Sequence, residues 1–283
     1  MPIFEEKIPD KPIYYEVRQQ ARRFLSSSMK GNQIASLIVA VVVFAVMAYS
    51  FIISSKYIHV SVPVFFLPGL IGIILPGVVS GLISGEIQKR SMESLLATPL
   101  STGQLVIAKA LRAVLPVLAT VAAILSLVLI LLVGKLIYGD DSAGEFYSGW
   151  ISIPAGIIIS LVFAYAVTGI CLAVSAVTRS TVASMVTSYG VMMLVYVIVP
   201  SIVAPIYVAI VGDGTGMEAY LAALHPYGMV ALTAVEPLMD RANAGLVLIL
   251  ILIGLLIQGA IGFFGLAFAA SRMEQLKRKG IEG

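Results

Sequence analysis

Long apolar runs separated by short polar stretches dominate the chain, and their lengths predict helices that cross a membrane. A helix needs about 20 apolar residues to span a hydrocarbon core of ~30 Å. Six runs reach that length: Ile34–Ile53, Val64–Ser84, Leu105–Val133, Ile151–Val177, Thr181–Val203 and Ala244–Ala270. The first follows a polar, charged leader, too late for a cleaved signal sequence, and is expected to stay in the mature protein. The expected fold is an all-α membrane protein: a cytosolic amphipathic leader helix over 1–33, a six-span transmembrane domain over 34–270, and a basic cytosolic tail over 271–283.

The polar stretches carry patterns of their own. In the leader, Ile13, Val17, Ala21 and Phe24 recur at helical spacing, with Arg18, Arg22 and Arg23 on other faces. Asp10 is a possible cap, Pro12 fits a first turn and Gly31 a stop. This predicts an interfacial helix whose candidate contact residues are Tyr14, Val17, Arg18, Arg22 and Phe24. Such helices bind either lipid or a protein groove, and the pattern leaves both open.

Composition agrees with the spans. Of 283 residues, 59% are hydrophobic and 12% charged, and mean hydropathy is +1.02. That is about half the charge of a soluble domain, so bilayer has to serve as solvent. Cations then set the sidedness. With both termini cytosolic, fifteen of the 18 Lys and Arg fall inside, and only Lys56, Lys135 and Arg241 fall outside. The expected location is the plasma membrane, multi-pass, with membrane lipids as surroundings. The basic excess is explained by orientation, and no nucleic-acid partner is expected. In the third-to-fourth loop Asp140, Asp141 and Glu145 are ringed by Tyr138, Phe146, Tyr147 and Trp150, as at an outer interface. Cys171, the only cysteine, lies within a span and excludes an internal disulfide.

The richest stretch joins the second and third spans. Gly77, Gly81 and Gly85 form a small-xxx-small face for close helix approach, and Pro68 and Pro76 predict local bends. Glu86, Lys89, Arg90 and Glu93 then bring charge to the water interface, while Met92, Leu95 and Leu96 make an apolar patch on a short helix ending before Pro99. Ser101 and Gln104 read as a capping box, with Leu100 and Leu105 as its staple. The helix from Thr102 to Val133 would run about 48 Å at 1.5 Å per residue, longer than the membrane is thick. Exposed apolar side chains at the tip of a projecting hairpin call for a groove on another protein.

This segment resembles the signature of ABC export permeases of the second class. In that family an acidic residue, a Gly-Thr-x-Glu-x-Leu-Leu core, a Thr-Pro and a downstream Lys form the intracellular loop that engages the ATPase. Here the run from Glu86 to Ser101, followed by Lys109, is similar, with Arg90 and Ser91 where the family usually has Gly and Thr. The resemblance implies a coupling element containing Glu86, Arg90, Met92, Glu93, Leu95, Leu96, Pro99 and Lys109. It also implies a permease pair, of two identical or two related chains, and a separate ATP-binding subunit that holds ATP and magnesium. The competing reading is a membrane scaffold or assembly protein that docks a cytosolic partner through the same hairpin without transport.

Pro200 and Pro205 are expected to end the fifth span. The outer segment that follows has two stretches too short to cross, Met217–Leu224 and Gly228–Val235, expected as re-entrant pieces. They predict either an outer gate, with Tyr220, His225, Pro226, Tyr227 and Glu236 as candidates, or a lid over helix ends. The polar span residues Tyr165, Thr168, Ser175, Ser184, Thr187, Ser188, Tyr189 and Tyr196 read foremost as interhelical glue, and Gly259, Gly262 and Gly265 as contact surface.

Chemistry of its own is not expected of the chain. It has no Gly-x-x-x-x-Gly-Lys-Ser/Thr loop, so it cannot hydrolyse ATP by that route. The spans have no Asp, Glu or His that would mark a proton relay. Metalloprotease spacing is absent, no metal site is expected, and the two histidines, His59 and His225, both fall outside. The candidate catalytic residues are therefore none.

Overall fold

The computed structural model describes residues 49, 62–89, 91, 101–138, 143–202, 225–226, 228–230 and 244–279. The first predicted span, apart from Tyr49, and the leader lie outside them. All regular structure among the described residues is helical: α1 (Val62–Val79), α2 (Gly81–Gln88), α3 (Thr102–Ala110), a 3-10 turn (Leu111–Ala113), α4 (Val114–Tyr138), α5 (Ala143–Val177), α6 (Thr181–Met193), a π-helical turn (Leu194–Ile198) and α7 (Ala244–Lys279). Five stretches are long and apolar enough to cross a membrane: Val62–Gln88, Thr102–Gly134, Ile153–Val177, Thr181–Ile202 and Leu248–Arg278. They match the second to sixth predicted runs.

The fourth predicted span is the pillar. α5 packs against α7, α1, α2 and α6, and 56% of its membrane window is buried against 22% for the fifth and sixth spans. Its densest contact is with α7, and glycine explains it. A Cβ on Gly169 would lie 2.5 Å from the Gly262 carbonyl oxygen, and one on Gly265 would lie 2.5 Å from the Gly169 carbonyl carbon. The two backbones touch because neither carries a side chain there, the usual device where no hydrophobic effect drives helices together. Gly259 differs from the expectation: among the described residues nothing lies within 4 Å of where its Cβ would be.

Prolines explain most irregularities. Pro116 has no N–H for the Arg112 carbonyl, and the chain tightens into the 3-10 turn Leu111–Ala113 just before it. Pro200 does not end its helix as expected, since helical geometry continues to Ile202. It follows instead a π-helical turn, a common accompaniment of a local fault in the ladder. α7 likewise runs past Ala270 to Lys279, so the basic stretch after the last apolar run continues the same helix.

Candidate functional site

The segments on either side of residues 92–100 meet three other helices at one end of the bundle. Span two is not one helix but two. α1 stops at Val79, Ser80 adopts helical angles without a side-chain cap, and α2 starts again at Gly81. A new helix leaves its first amides without partners inside it. One of them, Ile83 N, and the next amide, Ser84 N, donate to the Ser175 hydroxyl of α5 at 3.1 and 2.9 Å. The Ser80 carbonyl accepts from Ser184 Oγ of α6 at 2.6 Å and from Ser84 Oγ at 3.1 Å. All four serines are fully buried. The missing cap is thus supplied by neighbouring helices, and the sequence places Gly81 and Gly85 so that α6 can come close enough to supply it: Thr181 is the nearest neighbour to a Cβ at either.

Two more ties hold α2. Gln88 Oε1 accepts from the Thr181 amide and hydroxyl at 3.2 and 3.0 Å. Glu86 Oε1 forms an ion pair with Lys109 Nζ of α3. The lysine is 2% exposed, and the carboxylate is 20% exposed. The second carboxylate oxygen, Glu86 Oε2, is buried with no hydrogen-bond partner among the described residues. A buried pair of this kind adds little stability as a pair, but removing one member strands the other charge.

α3 begins as its capping box requires. Gln104 N donates to Ser101 Oγ at 3.2 Å and Ser101 N donates back to Gln104 Oε1 at 3.1 Å. Thr102 Oγ1 donates to Glu274 Oε2 of α7 at 3.3 Å, and Arg278 Nε donates to Glu274 Oε1 at 3.3 Å. Residues 86–89, 101–109, 175–184 and 272–278, which the cation pattern assigns to one side, therefore gather at one end among the described residues. Of the expected coupling residues, the structure brings Glu86 and Lys109 together. Arg90, Met92, Glu93, Leu95, Leu96 and Pro99 lie outside the described residues, as do Tyr14, Val17, Arg18, Arg22 and Phe24.

At the far end of α6 a second polar cluster surrounds Tyr196. Because Pro200 has no N–H, the Tyr196 carbonyl four residues earlier loses its helical donor. His225 Nε2 fills the place at 2.9 Å, and since a carbonyl only accepts, Nε2 is the protonated nitrogen. Burial lowers the His225 pKa, with the carbonyl acting in the opposite direction. The Tyr196 hydroxyl donates to Gln258 Oε1 of α7 at 2.7 Å, and its ring meets Phe163 of α5 edge-on at 5.0 Å. Pro226 beside His225 is buried; Tyr220, Tyr227 and Glu236 lie outside the described residues. Gln258 was not foreseen, although a lone amide in a long apolar run is the signal that finds it. Among the span hydroxyls, Ser175, Ser184, Tyr189 and Tyr196 do bond across helices, Tyr189 through Ile73 O at 2.6 Å, whereas Thr168 bonds its own helix at Ala164 O.

Among the described residues no cluster of His, Cys, Asp or Glu is suited to a metal ion. The arrangement joins helices. Compared with known protein families, the chain matches the sequence model described as ABC-2 family transporter protein over residues 21–269. A comparison with curated proteins found no match.

Proposed function

The chain belongs to the ABC-2 family of transporter proteins, and from that premise we propose that it is the six-span permease subunit of an ATP-driven exporter. Permeases of this family are membrane components without an ATPase domain and work with ATP-binding subunits. In our reading both termini are cytosolic in the plasma membrane, and two permeases, identical or related, pair with ATP-binding subunits that carry ATP and magnesium. The loop between spans two and three receives the push when those subunits close. Glu86, Arg90, Met92, Glu93, Leu95, Leu96, Pro99 and Lys109 form the receiving element, and the leader helix lies beside it on the membrane. Tyr220, His225, Pro226, Tyr227 and Glu236 belong to an outer gate.

The observation that supports this most is the binding of α2 to three spans at once: to α3 through Glu86 and Lys109, to α5 through Ser175, and to α6 through Gln88 and Thr181. A displacement entering at the loop is handed to all three. The joint at Ser80 separates α2 from α1, so the short helix can tilt while the longer one stays in its packing, as hinge motions require. Energy then reaches the pathway as a shift between membrane states with different affinity for substrate.

Co-expression with a candidate ATP-binding subunit tests the reading. Leu95→Asp or Glu93→Lys is expected to abolish copurification or ATPase stimulation while the permease remains folded. Ser175→Ala is expected to preserve partner binding yet lower stimulation, because it strands the amides at the joint. If both loop variants bind and stimulate normally, the loop is not the receiving element. Binding without any nucleotide-driven transport by the intact complex would favour the scaffold reading.

A further inference from the structure

Away from the joint, helices α3, α4, α5 and α7 leave a groove of about 550 Å³ between them. Small residues create it: Gly103 and Ala110 on α3, Ala113 beyond it, Ala164 on α5, and Ala267 and Ala270 on α7. A hollow of this volume falls within the range of about 300–1,000 Å³ typical of ligand sites. Its lining is almost entirely carbon. Tyr165 and Thr168 are the polar residues there, and the Thr168 hydroxyl is already spent on Ala164 O. A polar ligand would find almost nothing to bond.

The shape is elongated and its length is informative. A second hollow of about 590 Å³ shares Leu161, Tyr165 and Phe263 with the first and continues along α5 and α7 to Leu255 and Gly259. Gly103 and Gly259, at opposite ends of this track, have no described residue within 4 Å of where a Cβ would be. From Gly259 to Ala270 is eleven residues, about 17 Å at 1.5 Å per residue. That matches one leaflet, half of a ~30 Å hydrocarbon core.

Charge continues where the carbon ends. Along α7 the groove side runs Phe263, Leu266, Ala267, Ala270 and then, at the same helical spacing, Glu274 and Lys277. Glu274 is engaged by Thr102 and Arg278. Lys277 and Arg278 are exposed, about 10 Å beyond Ala270 along the helix, which is headgroup depth. We propose that this track is a binding site for an acyl chain of an anionic glycerophospholipid from the leaflet on the loop side, with Lys277 and Arg278 holding its phosphate. The lining selects a hydrocarbon chain, the length selects one leaflet, and the terminal cations select the sign of the headgroup. The site stands apart from the α2 joint, and its occupancy does not depend on how the partner ATPase engages.

Brominated lipids report it directly. The full-length chain has one tryptophan, so Trp150→Phe combined with Leu118→Trp puts the only indole in the groove lining, while Leu129→Trp puts it on exposed surface of the same helix outside the groove. Both are reconstituted in phosphatidylcholine vesicles with increasing brominated phosphatidylglycerol or brominated phosphatidylcholine. At position 118 the anionic lipid should quench at a several-fold lower mole fraction than the neutral one, and Lys277→Gln with Arg278→Gln should remove that difference. At position 129 the two lipids should quench alike, with or without the charge changes, which also reports an intact fold. Equal quenching by both lipids at 118 would overturn the proposal, as would a preference untouched by the charge changes. Absence of quenching at 118 would overturn it too, indicating that protein, from this chain or a second copy, fills the groove.

Discussion

Individual side chains in this protein act mainly by closing accounts that the backbone leaves open. Lys109 is the exception, since it closes a charge. Lys109→Met keeps much of the apolar stem but leaves Glu86 buried and unpaired, so a loss of about 3 kcal/mol is expected, visible as a lowered unfolding midpoint in detergent. Restoring neutrality with Glu86→Gln in the same chain should recover most of it; failure to recover would show that the pair is not a closed unit. At the other end, His225 adds a pH dependence whose sign follows from its lowered pKa. A base that is harder to protonate in the folded state makes the unfolded chain bind more protons between the two pKa values, so stability rises with pH there. The protein should keep its full stability above the ordinary histidine value of 6.5 and lose some as pH falls below it. His225→Gln should flatten the difference in thermal midpoint between pH 7.5 and 5.5. Neither role was visible in the sequence. Lys109 stood among several cations near an interface, and nothing local distinguishes the one that a neighbouring helix will bury.

Helices and their joints were more legible, because they rest on local rules. The capping box at Ser101 and Gln104 and the long third span follow from residues within a few positions of each other, and both are present. The close face Gly77, Gly81 and Gly85 was readable, although its partner, α6, was not. The break at Ser80 was not readable at all, because its cap comes from Ser175, 91 to 92 positions away in sequence. Proline was read too simply: Pro200 marks a carbonyl that needs a new donor instead of a helix end. Glycines show the same limit. Gly169→Val should cost at least about 1–3 kcal/mol by forcing α5 from α7, whereas Gly259→Ala should fall within about 0.5 kcal/mol of the parent or improve on it. Thermal unfolding of the two variants separates a glycine needed for contact from one that only looks equivalent by spacing.

At the scale of the whole molecule, hydropathy carried the fold class, since a chain this apolar has few ways to hide its backbone in lipid. The packing hierarchy, with α5 at the centre and α6 and α7 about one-fifth buried, depends on contacts between distant segments and needed the structure. The central claim is that the loop at 92–100 is cytosolic and receives a partner ATPase. With Cys171 replaced by serine, Leu95→Cys gives the chain a single cysteine between spans two and three. A membrane-impermeant maleimide then reports both side and contact. The account predicts labelling in inside-out vesicles but not in intact cells, with protection when the ATP-binding subunit is added. Labelling from the outside of intact cells, or inside labelling that the subunit leaves unchanged, would contradict it.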